Sequence, residues 1–174
     1  MSEKIKIFIV EDNEVYTMML NEQLKGVLSD YYLTEFSSLD YSLITFTSGK
    51  ECIKNLHLNP DVIILDYYLE AENGLDVLKA IKKENPKIPV MILSKEKDLH
   101  IVKKLMDEGA ANYIIKEQGD YIEVKNAIFK ILKYLEDKKA AIKSNFRKSI
   151  TWMAVWTIIV VALCVITVSL FLKN

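Results

Sequence analysis

The chain reads as an α/β protein: a doubly wound, five-stranded parallel sheet in the order 2-1-3-4-5, followed by a C-terminal transmembrane helix. Three observations predict it. Strand-like and helix-like segments alternate over residues 5–135, the pattern of a parallel sheet crossed by helices. The run Val62–Leu65 is continuously apolar and bounded by Pro60-Asp61 and Asp66, as a strand buried on both faces requires. Four such runs also stop on reactive polar residues: Ile5–Val10 on Glu11 and Asp12, Val62–Leu65 on Asp66, Val90–Leu93 on Ser94, and Tyr113–Ile115 on Lys116. Neighbouring parallel strands set all these tips along one edge, where open α/β sheets hold their ligands.

The elements follow in order. After the first strand, Leu20, Leu24, Val27 and Leu28 repeat at helical spacing. Asp30–Tyr41 fits no element well and reads as an extended loop or a frayed end of that helix. Ser42–Thr47 is the second strand, and it leads into a short helix capped by Ser48, with Glu51 completing a capping box. Leu75, Leu78 and Ile81 mark a third helix that Pro86 stops. Leu99, Val102, Leu105 and Met106 mark a fourth, closed by Gly109. A fifth opens with the box Asp120-x-x-Glu123 and continues through Val124, Ala127, Ile128, Ile131, Leu132 and Leu135. Right-handed crossovers leave few topologies. The order 2-1-3-4-5 brings strands 1 and 3 together at the switch point, with Glu11, Asp12 and Asp66 side by side.

The last segment is different in kind. Trp152 to Leu172 is 21 residues without a charge or a proline. As a helix rising about 1.5 Å per residue it covers roughly 30 Å, a bilayer's hydrocarbon thickness. Trp152 and Trp156 stand where an interfacial anchor would be. A buried soluble helix would be apolar all round and would need a second globular layer to cover it. The expectation is therefore a membrane span at 151–172, joined to a domain at 1–135 by a basic helical linker at 136–150. Lys138, Lys139, Lys143, Arg147 and Lys148 precede it, while Lys173 and Asn174 follow, so the N-terminal domain is expected in the cytoplasm and the C-terminus outside. Those five cations would add on the order of 1 kcal/mol each at an anionic surface, offset in part by Glu136 and Asp137. So little follows the span that it reads as a tail anchor.

Composition narrows the function. A formal net charge of −1 calls for no nucleic acid or bulk polyanion as partner. Cys52 and Cys164 lie far apart without a metal-ligand pattern and read as unpaired thiols in a reducing compartment. The short apolar run at the N-terminus ends on two acids, so it is no signal peptide.

Singly, each polar residue has a plain structural reading. Acids favour a helix's first turn, an aspartate after a strand is often a loop residue, and a lone lysine is usually a solvated cation. Their coincidence at the tips of strands 1, 3, 4 and 5 is more specific. Three carboxylates, a hydroxyl and an ammonium in one crevice suit a metal ion and a phosphoryl group.

The segments IFIVEDN (Ile7–Asn13), VIILDYYLEAENG (Val62–Gly74), VMILSK (Val90–Lys95) and GAANYIIKE (Gly109–Glu117) carry a resemblance. Over about residues 4–135 the chain resembles the receiver domain of two-component response regulators, a flavodoxin-like fold. The glycine eight residues past Asp66 and the aromatic three before Lys116 match that pattern. The resemblance implies that Asp66 accepts the phosphoryl group as an acyl phosphate. It implies Mg²⁺ held by Asp12 directly, by Glu11 through water, by Asp66 and by the backbone carbonyl of Tyr68. Lys116 would pair with one phosphoryl oxygen, Ser94 would donate to another, and Ser94 and Tyr113 would form the switch. Such transfer depends on positioning and charge neutralisation.

Three positions depart from the family pattern. Glu117 replaces the proline that commonly follows the lysine, Glu70 stands where a proline often follows the phosphoacceptor by four, and Lys95 replaces a small residue after Ser94. Lys95 either adds positive charge or obstructs the site. The expected function is a membrane-tethered receiver, self-phosphorylating but otherwise no enzyme, supplied by a sensor histidine kinase or phosphotransfer protein. Past residue 135 the reading has room only for linker and anchor, so output would be contact with a downstream protein or service as a phosphate sink. The alternatives are a pseudo-receiver that is never phosphorylated, and a small phosphohydrolase, for which no general acid stands near Asp66. Tyr67 and Tyr68 beside the site would slow water attack.

Overall fold

The computed structural model describes residues 4–35 and 41–116 continuously, and residues 125, 126, 129, 130, 133, 137, 150, 152, 153 and 155–157 singly; over 28–35 it describes the backbone. The chain forms two compact units, Met1–Leu132 and Lys133–Asn174.

In the first unit the described elements are β1 (Ile5–Val10), α1 (Glu14–Glu35), β2 (Tyr41–Phe46), α2 (Gly49–Lys54), a single 3₁₀ turn (Leu56–Leu58), β3 (Val62–Asp66), α3 (Gly74–Glu84), β4 (Val90–Ser94), α4 (Leu99–Asp107) and β5 (Asn112–Ile115). The sheet is parallel, with five strands in the order β2-β1-β3-β4-β5, as the sequence predicts. Every residue of the central strands β3 and β4 is buried, whereas the edge strands β2 and β5 are mostly half-buried. This gradient is why the middle runs are continuously apolar: helices cover both of their faces. Phe8, Ile63, Leu65, Leu78, Val90, Ile92 and Leu105 lie in one core cluster.

Helix starts carry the expected chemistry. Asn13 Oδ1 accepts from the Tyr16 N–H at 2.9 Å at the start of α1, and Ser48 Oγ accepts from the Glu51 N–H at 3.3 Å. Asn73 and Asp98 cap α3 and α4 in the same way. Gly109, at φ 90°, ends the α4 region in the left-handed conformation that favours glycine.

Three differences from the sequence reading have physical reasons. The second strand runs Tyr41–Phe46, one residue earlier than expected, because its register is set by pairing Ile5 with Tyr41 and Val10 with Phe46. Asp30–Glu35 continues α1: no glycine or proline follows Gly26 there, and extending a helix costs far less than starting one. In α4 the buried stripe is Leu105 with partly buried Ile101, while Leu99 and Met106 are exposed. The apolar residues of α4 span more than one face, and packing on the sheet selects one of them.

Residues 125, 126, 129 and 130 are helical, in keeping with the fifth helix, but its Asp120–Glu123 box lies outside the described residues. In the second unit residues 133, 137, 150, 152, 153 and 155–157 are helical, and Ile150, Trp152, Met153, Val155 and Trp156 are exposed. Among the described residues no helix is long and apolar enough to cross a membrane. Residues 158–174, most of the expected span, lie outside the described residues, as does Cys164.

Gly74 positions the site. A Cβ there would lie 2.6 Å from the Tyr67 Cα and 2.7 Å from the Asp66 carbonyl oxygen, so only glycine lets α3 start against the strand tip. Gly74→Ala is expected to lower unfolding stability by about 2 kcal/mol, measured by urea denaturation, because the contacts are backbone and cannot swing aside.

Candidate functional site

Parallel register brings the strand tips to one edge. Val10 pairs with Leu65, Asp66 with Leu93, and Ser94 with Ile115. The ladder continues past three strands: the N–H groups of Glu11, Tyr67 and Lys116 donate to the carbonyls of Phe46, Leu93 and Ser94. Glu11, Asp66, Ser94 and Lys116 are therefore held by the sheet itself rather than by a loop.

A cavity of about 330 Å³ opens at this edge, lined by Glu11, Asp12, Asn13, Tyr16, Asp66, Tyr68, Lys95 and Lys116. Ligand oxygens of Glu11, Asp12 and Asp66 lie within 4.8 Å of one another; Glu11 and Asp66 are buried and Asp12 is half-buried. Three carboxylates on an open cavity, all hard oxygen donors, fit a divalent cation such as Mg²⁺ that retains waters.

Lys116 balances the charge. Its Nζ lies 2.5 Å from Glu11 Oε2 and 2.7 Å from Asp66 Oδ2, with all three side chains almost fully buried. It also sits 4.1 Å from the centre of the Tyr16 ring, a cation–π contact. Burial pushes the Glu11 carboxyl above its usual range; the hydrogen bond from Lys116 opposes this, and repulsion from Asp66 adds to it. Glu11 Oε1 also accepts from the Asn13 N–H at 3.2 Å. Asp66 Oδ1 accepts from the Tyr68 N–H at 3.2 Å.

Two departures in the sequence acquire a place. Asp12 Oδ2 accepts from the Glu70 N–H at 2.5 Å, a bond that proline at this position could not donate. Lys95 lies on the cavity wall. Glu117 lies outside the described residues.

Ser94 and Tyr113 are not among the residues that line the cavity. Ser94 is fully buried; its Oγ accepts from the Glu96 N–H at 3.0 Å, and its own proton faces the Tyr113 hydroxyl. Tyr113 is half-buried, and its hydroxyl donates to the Glu96 carbonyl at 2.6 Å. Burial raises the Tyr113 hydroxyl, and the Ser94 hydroxyl beside it pulls the other way. The Tyr68 hydroxyl donates to Glu96 Oε2 at 2.7 Å. That bond pushes Tyr68 up to about 12 and holds Glu96 below the usual carboxylate range. Sequence reasoning missed Tyr16, Glu96 and the Glu70 N–H. The first two sit three residues past Asn13 and two past Ser94, with no pattern to single them out; the third is a backbone group with no side-chain signature.

Lys116→Met should expose how much the buried carboxylates depend on their counter-charge. Removing one partner of a buried pair costs roughly 3–5 kcal/mol, so the variant is expected to lose about that much at pH 7. The Glu11 carboxyl is raised in the folded state, so its protonated form favours folding. The deficit should therefore shrink as pH falls from 7 toward the ordinary Glu value of 4.5. Urea unfolding across that range measures both effects, and a deficit that does not change with pH would contradict the raised Glu11.

The response regulator receiver domain model matches residues 7–128. Among curated relatives, the transcriptional regulatory protein MalR of Bacillus subtilis is 29% identical over 114 residues, 64% of this chain and 44% of that protein. The chain spans about half the length of the first curated relatives it matches. Among solved structures, the signal receiver domain of a LuxO repressor protein from Vibrio parahaemolyticus covers 80% of this chain at 20% identity, with a TM-score of 0.66 and 98% of its own length matched. The Mn²⁺-bound form of response regulator Rcp1 covers 71% at 24% identity, with a TM-score of 0.58 and 91% of its own length matched. Both share this fold. The sheet order, the strand-tip cluster and the match over residues 7–128 lead to one conclusion: the chain belongs to the response regulator receiver domain family.

Proposed function

We propose that the chain is a Mg²⁺-dependent phosphoacceptor that takes a phosphoryl group on Asp66 from a histidine kinase or a phosphotransfer protein. The observation that carries this reading is the cavity in which Asp66 meets Glu11, Asp12 and Lys116. Glu11, Asp12, Asp66 and the backbone carbonyl of Tyr68 would hold the ion. When bound, it supplies the positive charge that lets a carboxylate meet an anionic phosphoryl group.

Asp66 attacks phosphorus through a carboxylate oxygen; the new O–P bond forms as the P–N bond of the donor phosphohistidine breaks, and the imidazole leaves and takes its proton from solvent. Lys116, held between Glu11 and Asp66, is one short side-chain movement from a phosphoryl oxygen. Ser94 has a proton to donate to another. Any shift of Ser94 is felt by Glu96 and through it by Tyr113, so phosphorylation biases two arrangements of the β4–α4 and β5 region. The output is contact with a downstream protein or storage of phosphate.

The domain acts at a membrane surface. The 21 uncharged residues from Trp152 to Leu172 and the five cations at residues 138–148 support a single span with the receiver on the cytoplasmic side and the C-terminus outside.

Two measurements test the reading. The full-length chain in detergent, incubated with Mg²⁺ and acetyl phosphate, is expected to gain the mass of one phosphoryl group; chelation or Asp66→Asn should abolish it. A folded, Mg²⁺-binding wild type that takes no label would leave the pseudo-receiver reading in its place. In fractionated cells the chain should sediment with membranes and resist alkaline extraction, and deletion of residues 151–174 should release it. Full recovery of the intact chain in the soluble fraction refutes the tether.

A further inference from the structure

We propose that Lys95 is a second phosphoryl-binding cation of the cavity, acting beside Lys116; this deepens the phosphoacceptor reading and rests on it. The two lysines of the cavity wall are differently engaged. Lys116 is buried and committed to Glu11 and Asp66. Lys95 is exposed, lines the same cavity, and forms no ion pair among the described residues. It directly follows Ser94, the last residue of β4, so its backbone is anchored at the strand tip while its long stem is free to move.

Charge balance indicates what it does. Glu11, Asp12 and Asp66 present three carboxylates, and a phosphoryl group on Asp66 adds roughly one further negative charge at neutral pH. Lys116 and a divalent cation together supply three positive charges, one short of that total. An ammonium on the same wall closes the difference, and its long stem lets the charge follow a phosphoryl oxygen. The neighbouring acid Glu96 does not hold Lys95 back: its carboxylate is engaged by the Tyr68 hydroxyl and by the Lys97 and Asp98 N–H groups.

This role has a signature that neither obstruction nor a structural role shares. A cation on the wall attracts anions and repels Mg²⁺, so removing it should move the two affinities in opposite directions. In the full-length chain in detergent, calorimetric titration of Lys95→Gln is expected to show Mg²⁺ binding about twofold tighter. Beryllofluoride, used as the phosphoryl analogue at saturating Mg²⁺, is expected to bind about fivefold weaker. Lys95→Arg should stay near wild type in both, and the differences should shrink at high salt. Because Lys95 is exposed, thermal unfolding of the variants should be unchanged.

Beryllofluoride binding that tightens in Lys95→Gln identifies the side chain as an obstruction and overturns the proposal. Two unchanged affinities, or two that weaken together, overturn it as well. The parent reading fails separately: a wild type that binds Mg²⁺ but takes neither beryllofluoride nor a phosphoryl group sinks both readings. A wild type that takes both while Lys95→Gln binds beryllofluoride equally well sinks only the role of Lys95.

Discussion

The site depends on one electrostatic constraint: Glu11 and Asp66 are buried carboxylates on adjacent strands, and Lys116 must answer both. An unpaired buried charge costs several kcal/mol. One ammonium therefore ties β5 to β3 and β1 across the top of β4. β1 and β5 lie three strand spacings apart, roughly 14 Å, a distance bridged by the lysine and glutamate stems together. The parallel register makes the reach possible, since it stops every strand at the same edge. The burial that makes this pairing necessary also raises the Glu11 carboxyl above its usual range.

The same edge dictates how the neighbouring helices begin. Asn13 serves the site and the fold at once: its side chain caps α1, and its N–H holds Glu11. Gly74 lets α3 begin in contact with the Asp66 backbone. Glu70, a departure from the usual proline, adds a donor for Asp12. The acidic cluster is thus braced by backbone N–H groups on both sides, which reduces the cost of gathering like charges.

Behind the cavity, Glu96 joins three parts of the fold. It meets Ser94 through its N–H, Tyr113 through its carbonyl and Tyr68 through its carboxylate. Ser94 and Tyr113 thus share one hydrogen-bonding partner in the β4–α4 loop.

Much of this was legible in the sequence, and the residues show why. Short continuous apolar runs at Val62–Leu65 and Val90–Leu93, each closely preceded by a proline and ended by a polar residue, read as strands covered on both faces, so the sheet and its order followed from pattern and handedness. Asp66, Ser94, Lys116 and the Glu11–Asp12 pair were visible because each ends such a run. The buried face of α4 was not, because its apolar residues span more than one face and only contact with the sheet chooses Ile101 and Leu105. Nor were the partners of the site residues: Tyr16 over Lys116, Glu96 between three side chains, the Glu70 N–H on Asp12. By itself the sequence determined which groups stand at the strand tips, since periodicity and punctuation are local. Which of them touch was decided only by the tertiary structure, because distances between residues as far apart as Glu11 and Lys116 are set by register and packing rather than by any neighbour in the chain.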